Sequence, residues 1–509
     1  MTQKDILVDT SLGEVRVAVR ENGKLVELYL EHEEAGHYAG DVYKGRVEDV
    51  LPGLGSAFVD IGYEKRGLLH ASDIVATGIE DIDEVFLSRA GATKAGAAPA
   101  RGRIEDVLQP GQNIIVQVTK ESIGDKGPKL TTAVAIPGRY LVLAPHADRV
   151  NISSRIEDDD ERERLRSLAV EAKPPGYGFI VRTAAQGIEP EFILRDLEDL
   201  VETWRRILKK SERKRAPVLL YKDKDLLERV LRDQFTGDVD TFIADSLATY
   251  ERVVLLAEKY APHFVSRVRL YEDDHPIFDA YAIEGEIDRM FRRKIWLRSG
   301  GYIVIDETEA LVAIDVNTGR FLGREDQEDT ILKTNLEAAA EIARQVRLRN
   351  IGGIIIIDFI DMTVAENKNK VLEALKEYMA RDRARSKILE LSELGMVEMT
   401  RQRQRGSLVA ALSRTCPYCR GRGAVLDYDV IGAKIERELT RRLREESREE
   451  ITVVVHPRVK NFLDTTFEER LNRLELENDA QVNVVSREDM ALDEVEIINP
   501  RRGAGKRRR

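Results

Sequence analysis

Cysteine is nearly absent from this chain: 509 residues contain two, Cys416 and Cys419. So few thiols in so long a chain exclude a disulfide-stapled scaffold and point to a reducing compartment. Long apolar runs are missing too. Runs such as Ile354 to Ile357 are far too short to span a bilayer. The opening Met-Thr-Gln-Lys-Asp-Ile-Leu-Val has neither the charged start nor the apolar core of a signal peptide. The expected location is cytoplasmic, with no membrane span. Excess positive charge is absent as well: 80 Lys and Arg stand against 91 Asp and Glu, a net charge of −11. That excludes nucleic-acid binding by bulk electrostatics alone. Arginine is nevertheless dense at 401–405, at 414–422 and in the terminal Gly-Lys-Arg-Arg-Arg. Each cluster is either a solvated face or a set of local phosphate contacts on an acidic body.

What is present is a soluble composition, 42% hydrophobic and 34% charged, with length for roughly three to five domains. The first thirty residues alternate apolar and polar, as in Glu14 to Val19 and Leu25 to Leu30, and Asn22-Gly23 supplies a hairpin turn. Residues 37–132 hold short strands around 41–47, 56–62, 66–70 and 113–118, with the glycine spacing of a small five-stranded barrel of OB type. Residues 88–102 have no periodicity and read as a flexible inserted loop. Residues 133–215 mix strands with helices at 159–171 and 193–213, and 283–412 carries the strongest α/β pattern. The stretch 425–496 alternates charged helices with the strand Ile451 to Val455. The fold class is multidomain α/β.

The two cysteines share one turn, Cys416-Pro417-Tyr418-Cys419-Arg420-Gly421-Arg422-Gly423. Two thiolates from one loop fit a zinc knuckle, but a structural Zn²⁺ wants four ligands, and no histidine follows at finger spacing. A second copy of the chain completes a Cys₄ site and implies a homodimer. Two alternatives stay open, a redox dithiol and a plain structural turn. A thioredoxin-like pair opens a helix after a strand, whereas Arg-Gly-Arg-Gly follows here.

Two apolar runs each end in aspartate: Leu311-Val312-Ala313-Ile314 leads into Asp315-Val316-Asn317, and Ile354 to Ile357 into Asp358. Both read as buried strands, with an amphipathic helix around 334–343 between them. Strand, helix, strand makes neighbours, so Asp315 and Asp358 emerge side by side. Paired carboxylates suit Mg²⁺, which takes one or two of them together with waters and a substrate phosphate. Asn317 lies on the same side and can orient a water or a phosphate oxygen. The bland alternative is an Asp-x-Asn turn beside an ordinary strand-end aspartate.

Ala313 to Asn317, Thr334 to Ala339, Glu341 to Gln345, Ile355 to Met362 and Cys416 to Gly423 closely resemble the ribonuclease E/G family over nearly the whole chain. No long scaffold tail follows, as in the shorter family members. The resemblance implies the following. Residues 1–36 with 216–282 form a ribonuclease H-like structural subdomain, interrupted by an OB-fold RNA-binding domain (37–132) and a 5′-phosphate sensor (133–215). A DNase I-like catalytic subdomain (283–412), a zinc-link (413–424) and a small C-terminal α/β subdomain (425–509) follow. Asp315 and Asp358 hold catalytic Mg²⁺ with Asn317 as partner, and single-stranded RNA is hydrolysed to 5′-phosphate and 3′-hydroxyl ends. Phe58 stacks on a base with Lys126 beside it, although Leu68 stands where a second aromatic is expected; the alternative for Phe58 is a barrel-core aromatic. Arg182 and Thr183, with Arg155, read a 5′-monophosphate, and Arg401 and Arg403 are candidates for added contacts. Cys416 and Cys419 share Zn²⁺ between two chains, in a dimer or a dimer of dimers. The substrates implied are ribosomal and transfer RNA precursors and decaying messenger RNA. A non-cleaving RNA-binding assembly factor and a nuclease also acting on single-stranded DNA are the rival readings.

Overall fold

The computed structural model describes residues 3–32, 38–74, 104–122, 127–319, 327–392, 395–402, 407–445 and 450–498, in two compact units, Met1–Val409 and Ala410–Arg509. The loop expected over 88–102, Lys126, Arg403 and the basic C-terminal end lie outside the described residues. Among the described residues no helix is long and apolar enough to cross a membrane.

The alternating N-terminal residues form the strands Lys4–Asp9, Glu14–Glu21 and Lys24–His32. Asn22 and Gly23 sit at φ 50° and 77°, the left-handed pair that a two-residue hairpin turn requires. Lys4–Asp9 also pairs in parallel with Thr241–Ala244, which pairs with Val268–Leu270, giving a five-stranded sheet built from distant parts of the chain. Ile6, Val17 and Val19 pack there against Leu231, Phe235 and Val253.

Between these parts the chain makes two other bodies. Val42–Leu51, Ser56–Asp60, Gly67–His70, Lys129–Thr131 and Asn113–Lys120 form the expected five-stranded barrel, closed by pairing of the first and last. Val218–Tyr221 adds to its rim beside Val42–Leu51. The second body is a four-stranded sheet including Leu141–Ala144, Val150–Ile152 and Gly178–Val181, covered by the helices Asp159–Ala172 and Pro190–Arg213.

The largest sheets have six strands. In the one that follows, the order is Lys294–Trp296, Tyr302–Glu307, Leu311–Asn317, Gly353–Asp358, Met396–Arg401, Ser386–Leu391. Helices Gln327–Leu348 and Ala365–Ala380 supply side chains to the core on one face only, where Val312, Ile314, Val316, Ile355 and Ile357 are buried. The expectation of strands buried on both faces is therefore corrected. Ala313 and Asp315 are exposed, and Ile354 is 50% exposed. An apolar run marks a strand, but it does not by itself show that both faces are covered.

Unit Ala410–Arg509 has a three-stranded sheet, Glu450–Val455 flanked by Gln481–Ser486 in parallel and Val495–Ile498 in antiparallel. The helices Tyr428–Glu445, Pro457–Thr465 and Glu468–Asn478 close its core around Ile435, Val453 and Leu463.

Arg401, a candidate for RNA contact, is instead buried. Its Nε is 2.6 Å from Asp382 Oδ2, and its Nη1 donates to the Ile351 carbonyl at 2.6 Å. Removing one partner of a buried ion pair strands the other charge. Arg401→Ala should therefore lower unfolding free energy by about 3 kcal/mol. Urea unfolding of the full chain measures this; a loss below about 1 kcal/mol would mark the pair as surface-like.

Candidate active site and nucleic-acid interface

In parallel pairing Asp315 lies opposite Asp358, the last in a register that runs from Leu311 opposite Ile354. Neighbouring strands are about 4.8 Å apart, so the two carboxylates project together from the open face. Burial, then the like charges of Asp315 and Asp361, push the Asp358 carboxyl above its ordinary value. Among the described residues no Lys, Arg or His forms an ion pair with either carboxylate. Asn317 Nδ2 donates to Asp315 Oδ2 at 2.6 Å, so the structure brings together all three residues expected at this site.

The supports around this trio were not anticipated. Asn335, fully buried on the intervening helix, donates to the Ile360 carbonyl at 2.8 Å and accepts from the Ile360 amide at 3.1 Å. It thereby fixes the backbone just past Asp358. The Glu337 carboxylate accepts from the Arg298 and Ser299 amides at 2.6 and 2.9 Å. That turn packs behind Asn317: a Cβ at Gly301 would lie 2.8 Å from the Asn317 carbonyl, and one at Gly319 2.4 Å from the Gly300 carbonyl. Buried polar residues on an otherwise apolar helix face were the available signal. A cleft of about 540 Å³ lined by Lys120, Lys129, Leu311 and Gly353 lies at the start of these strands, away from the carboxylates at their ends.

On the barrel, Ala57 and Val59 fill the interior, while Phe58 between them is half-buried and faces outward. It is therefore not the core aromatic that the alternation allowed. Phe58 pairs with Leu68, 37% exposed, and Leu68 with Lys129, so an apolar row ends in a cation.

Arg182 follows the strand Gly178–Val181. Its Nη2 is 2.7 Å from Asp233 Oδ1 and its Nη1 donates to the Gly138 carbonyl at 2.7 Å. Burial raises the Asp233 carboxyl, but Arg182 and Arg232 outweigh it and hold the group well below the usual carboxylate range. The Thr183 and Ser153 hydroxyls are hydrogen-bonded at 2.9 Å, and Arg155 Nη2 donates to the Arg383 carbonyl at 2.6 Å. Arg182, Thr183 and Arg155 thus belong to one patch. Asp233 comes from a distant segment and carries no motif.

In the cysteine turn, Arg420, Gly421 and Gly423 have positive φ. The Gly423 and Gly421 amides, then Cys416 and the Arg422 amide, lower the Cys419 thiol below its ordinary value despite some desolvation. Among the described residues no group of three or more His, Cys, Asp or Glu could hold a metal ion. The preceding described element is the short helix Leu408–Ala411, and the next helix starts at Tyr428. The pair therefore does not sit between a strand and a helix as a redox dithiol would.

Three family models match this chain: Ribonuclease E/G family over 135–404, S1 RNA binding domain over 37–132, and RNase E/G, Thioredoxin-like domain, over 415–501. The last corresponds to the three-stranded unit, whose kinship was not foreseen. The chain is similar to Ribonuclease G of Salmonella typhimurium, 39% identical over 483 residues, covering 94% of this chain and 96% of that protein. Ribonuclease G of Escherichia coli K12 is 38% identical over 483 residues, again 94% and 96%. Ribonuclease E of Nostoc sp. is 41% identical over 391 residues, 76% of this chain and 54% of that protein. With an S1 barrel preceding the matched core, the chain belongs to the ribonuclease E/G family and is an endoribonuclease, a hydrolase.

Proposed function

We propose that the chain hydrolyses phosphodiester bonds of single-stranded RNA in a Mg²⁺-dependent reaction, leaving 5′-phosphate and 3′-hydroxyl ends. Asp315 and Asp358 hold the metal and Asn317 orients the groups around it. The observation that supports this most is the register pairing of Asp315 with Asp358 on an open face without a described counter-cation. Such a donor set fits Mg²⁺, whose charge relieves the repulsion that raises Asp358. When bound, the metal supplies activation of the attacking water and offsets charge developing on the phosphate. The chain's own residues do the positioning. Asn317 fixes the Asp315 carboxylate by its hydrogen bond, and Asn335 fixes the backbone beyond Asp358. Phe58 offers a base of an incoming strand a ring to stack on, Leu68 is an apolar neighbour without a flat face, and Lys126 is assigned to the same RNA contact. Stacking of this kind is worth about 1–3 kcal/mol per base and tolerates sequence.

Arg182, Thr183 and Arg155 are assigned to a 5′-monophosphate, which carries more charge than a diester and suits a guanidinium fork. Asp233 keeps Arg182 oriented until phosphate competes for it. Cys416 and Cys419 are assigned to Zn²⁺ shared with a second chain in a homodimer. The natural role proposed is processing of ribosomal and transfer RNA precursors and messenger RNA decay in the cytoplasm.

Asp315→Asn or Asp358→Asn should cut Mg²⁺-dependent cleavage by roughly 10²–10³-fold, the loss of several kcal/mol of charge stabilisation. RNA affinity measured by anisotropy should stay near wild type. Near-normal turnover at saturating Mg²⁺ would remove the assignment. The same Asp358→Asn variant tests the repulsion. A carboxyl raised by folding contributes stability below its unfolded pKa and loses it as pH rises. In chelator at neutral pH the variant should therefore be more stable, by about 0.5 kcal/mol or less after solvent screening. The gain should vanish once the pH drops below the carboxylate range, and thermal melts at both pH values decide it.

Arg182→Ala should bring the rate ratio between 5′-monophosphorylated and 5′-hydroxylated oligonucleotides close to unity while leaving internal entry into long RNA intact. An unchanged ratio would make Arg182 purely structural. For the cysteines, elemental analysis should find one zinc per two chains, and Cys416→Ala with Cys419→Ala should loosen the dimer in sedimentation. One zinc per chain, or a dimer indifferent to the change, would contradict the shared site.

A further inference from the structure

The open face of the catalytic sheet carries an aromatic cluster beside the paired carboxylates. Trp296 stands on the edge strand Lys294–Trp296 and is 59% exposed. In the sheet register Trp296 lies opposite Tyr302, and Tyr302 opposite Asn317. The neighbouring row runs Lys294, Val304, Asp315, Asp358. Residues directly opposite one another share a face, so both rows lie on the face left open by the helices. The Trp296 and Tyr302 rings meet at 63° with centroids 5.3 Å apart. The Lys294 ammonium lies 3.4 Å from the Tyr302 centroid and 4.2 Å from that of Trp296.

Folding does not account for this arrangement. The core of the sheet lies on its other face and does not include Trp296. The chain has two tryptophans, and the other, Trp204, is buried in the sensor core. A solvated indole next to a cation is instead the chemistry of a single-strand binding platform, where any base can stack and a nearby ammonium can meet a phosphate. Distance agrees. Two strand spacings and one two-residue step separate Trp296 from Asp315, about 12 Å, or roughly two nucleotides of an extended strand.

We propose that Trp296, braced by Tyr302, stacks a base of the RNA strand within about two nucleotides of the scissile phosphate, with Lys294 facing the adjoining phosphate. Together they set how the strand is placed across Asp315 and Asp358. The proposal rests on the assignment of those aspartates as the cleavage site. Because stacking ignores base identity, this contact governs the position of the strand rather than its sequence.

The test uses the full chain with Mg²⁺ and single-stranded oligoribonucleotides in which one abasic nucleotide is moved through the positions flanking the cut. In the wild type, one position within about two nucleotides of the cut should lower kcat/KM roughly tenfold when abasic. Trp296→Ala should show a similar loss on intact RNA and no further loss at that position, while Trp296→Phe restores most of it. In chelator, the same intact RNA should quench the fluorescence of the wild type but not of Trp296→Phe, where only buried Trp204 remains. A variant as active as wild type, or a Trp296→Ala enzyme that still feels every abasic position, would overturn the proposal, as would equal quenching in both proteins. Failure of the underlying assignment looks different: Asp315→Asn would then cleave intact RNA normally.

Discussion

Asp315 and Asp358 repel one another, yet parallel pairing of Leu311–Asn317 with Gly353–Asp358 holds them on adjacent strands. That repulsion has to be contained by the surroundings, and much of the containment comes from one helix, Gln327–Leu348. Its Asn335 clamps the backbone after Asp358, and its Glu337 clamps the turn behind Asn317. Glu328, in its first turn, accepts from the Thr363 hydroxyl at 2.8 Å and from the Thr363 and Val364 amides at 3.2 Å. The helix that joins the two strands thus holds the loops on both sides of the acid pair.

The same helix is tied to the N-terminal sheet. Arg347 pairs with Glu21 and Glu27 at 2.7 and 3.0 Å, and Arg344 Nη1 donates to the Leu25 carbonyl at 3.0 Å. Burial opposes the charge on Arg347, but its two carboxylates outweigh that and push its pKa up. Buried ion pairs of this kind add little net stability relative to apolar packing, but breaking one is costly. Their effect is to fix one arrangement of the sheet that carries Asp315 and Asp358 against the sheet made by the chain's first strands. Groups proposed to meet RNA, such as Phe58 and Trp296, are instead partly or largely exposed.

Much of this was legible in the sequence, and what was not has physical causes. The Asn22-Gly23 turn, the barrel strands and the two aspartates could be read because local chemistry determines them: positive φ, alternation, and apolar runs ending in carboxylates. Whether Ile354 to Ile357 had one face or two covered was not legible, because helices elsewhere in the chain decide it. Arg401 illustrates the same limit. In sequence it is one of a row of arginines, and only the fold brings Asp382 to it. The pairing of Arg182 with Asp233 and the exposure of Trp296 likewise depend on which elements become neighbours. The tight turn that carries Cys416 and Cys419 was readable from its glycines, while the thioredoxin-like character of the unit around it was not.

Relief of the repulsion between Asp315 and Asp358 by a divalent cation, as proposed, can be observed directly. Crystals of the full chain grown with Mn²⁺ in place of Mg²⁺ test it through anomalous scattering at the manganese edge. A peak is expected between the Asp315 and Asp358 carboxylates, and it should disappear in Asp358→Asn crystals. A Mn²⁺ peak elsewhere on the catalytic sheet, with both carboxylates unligated, would contradict it.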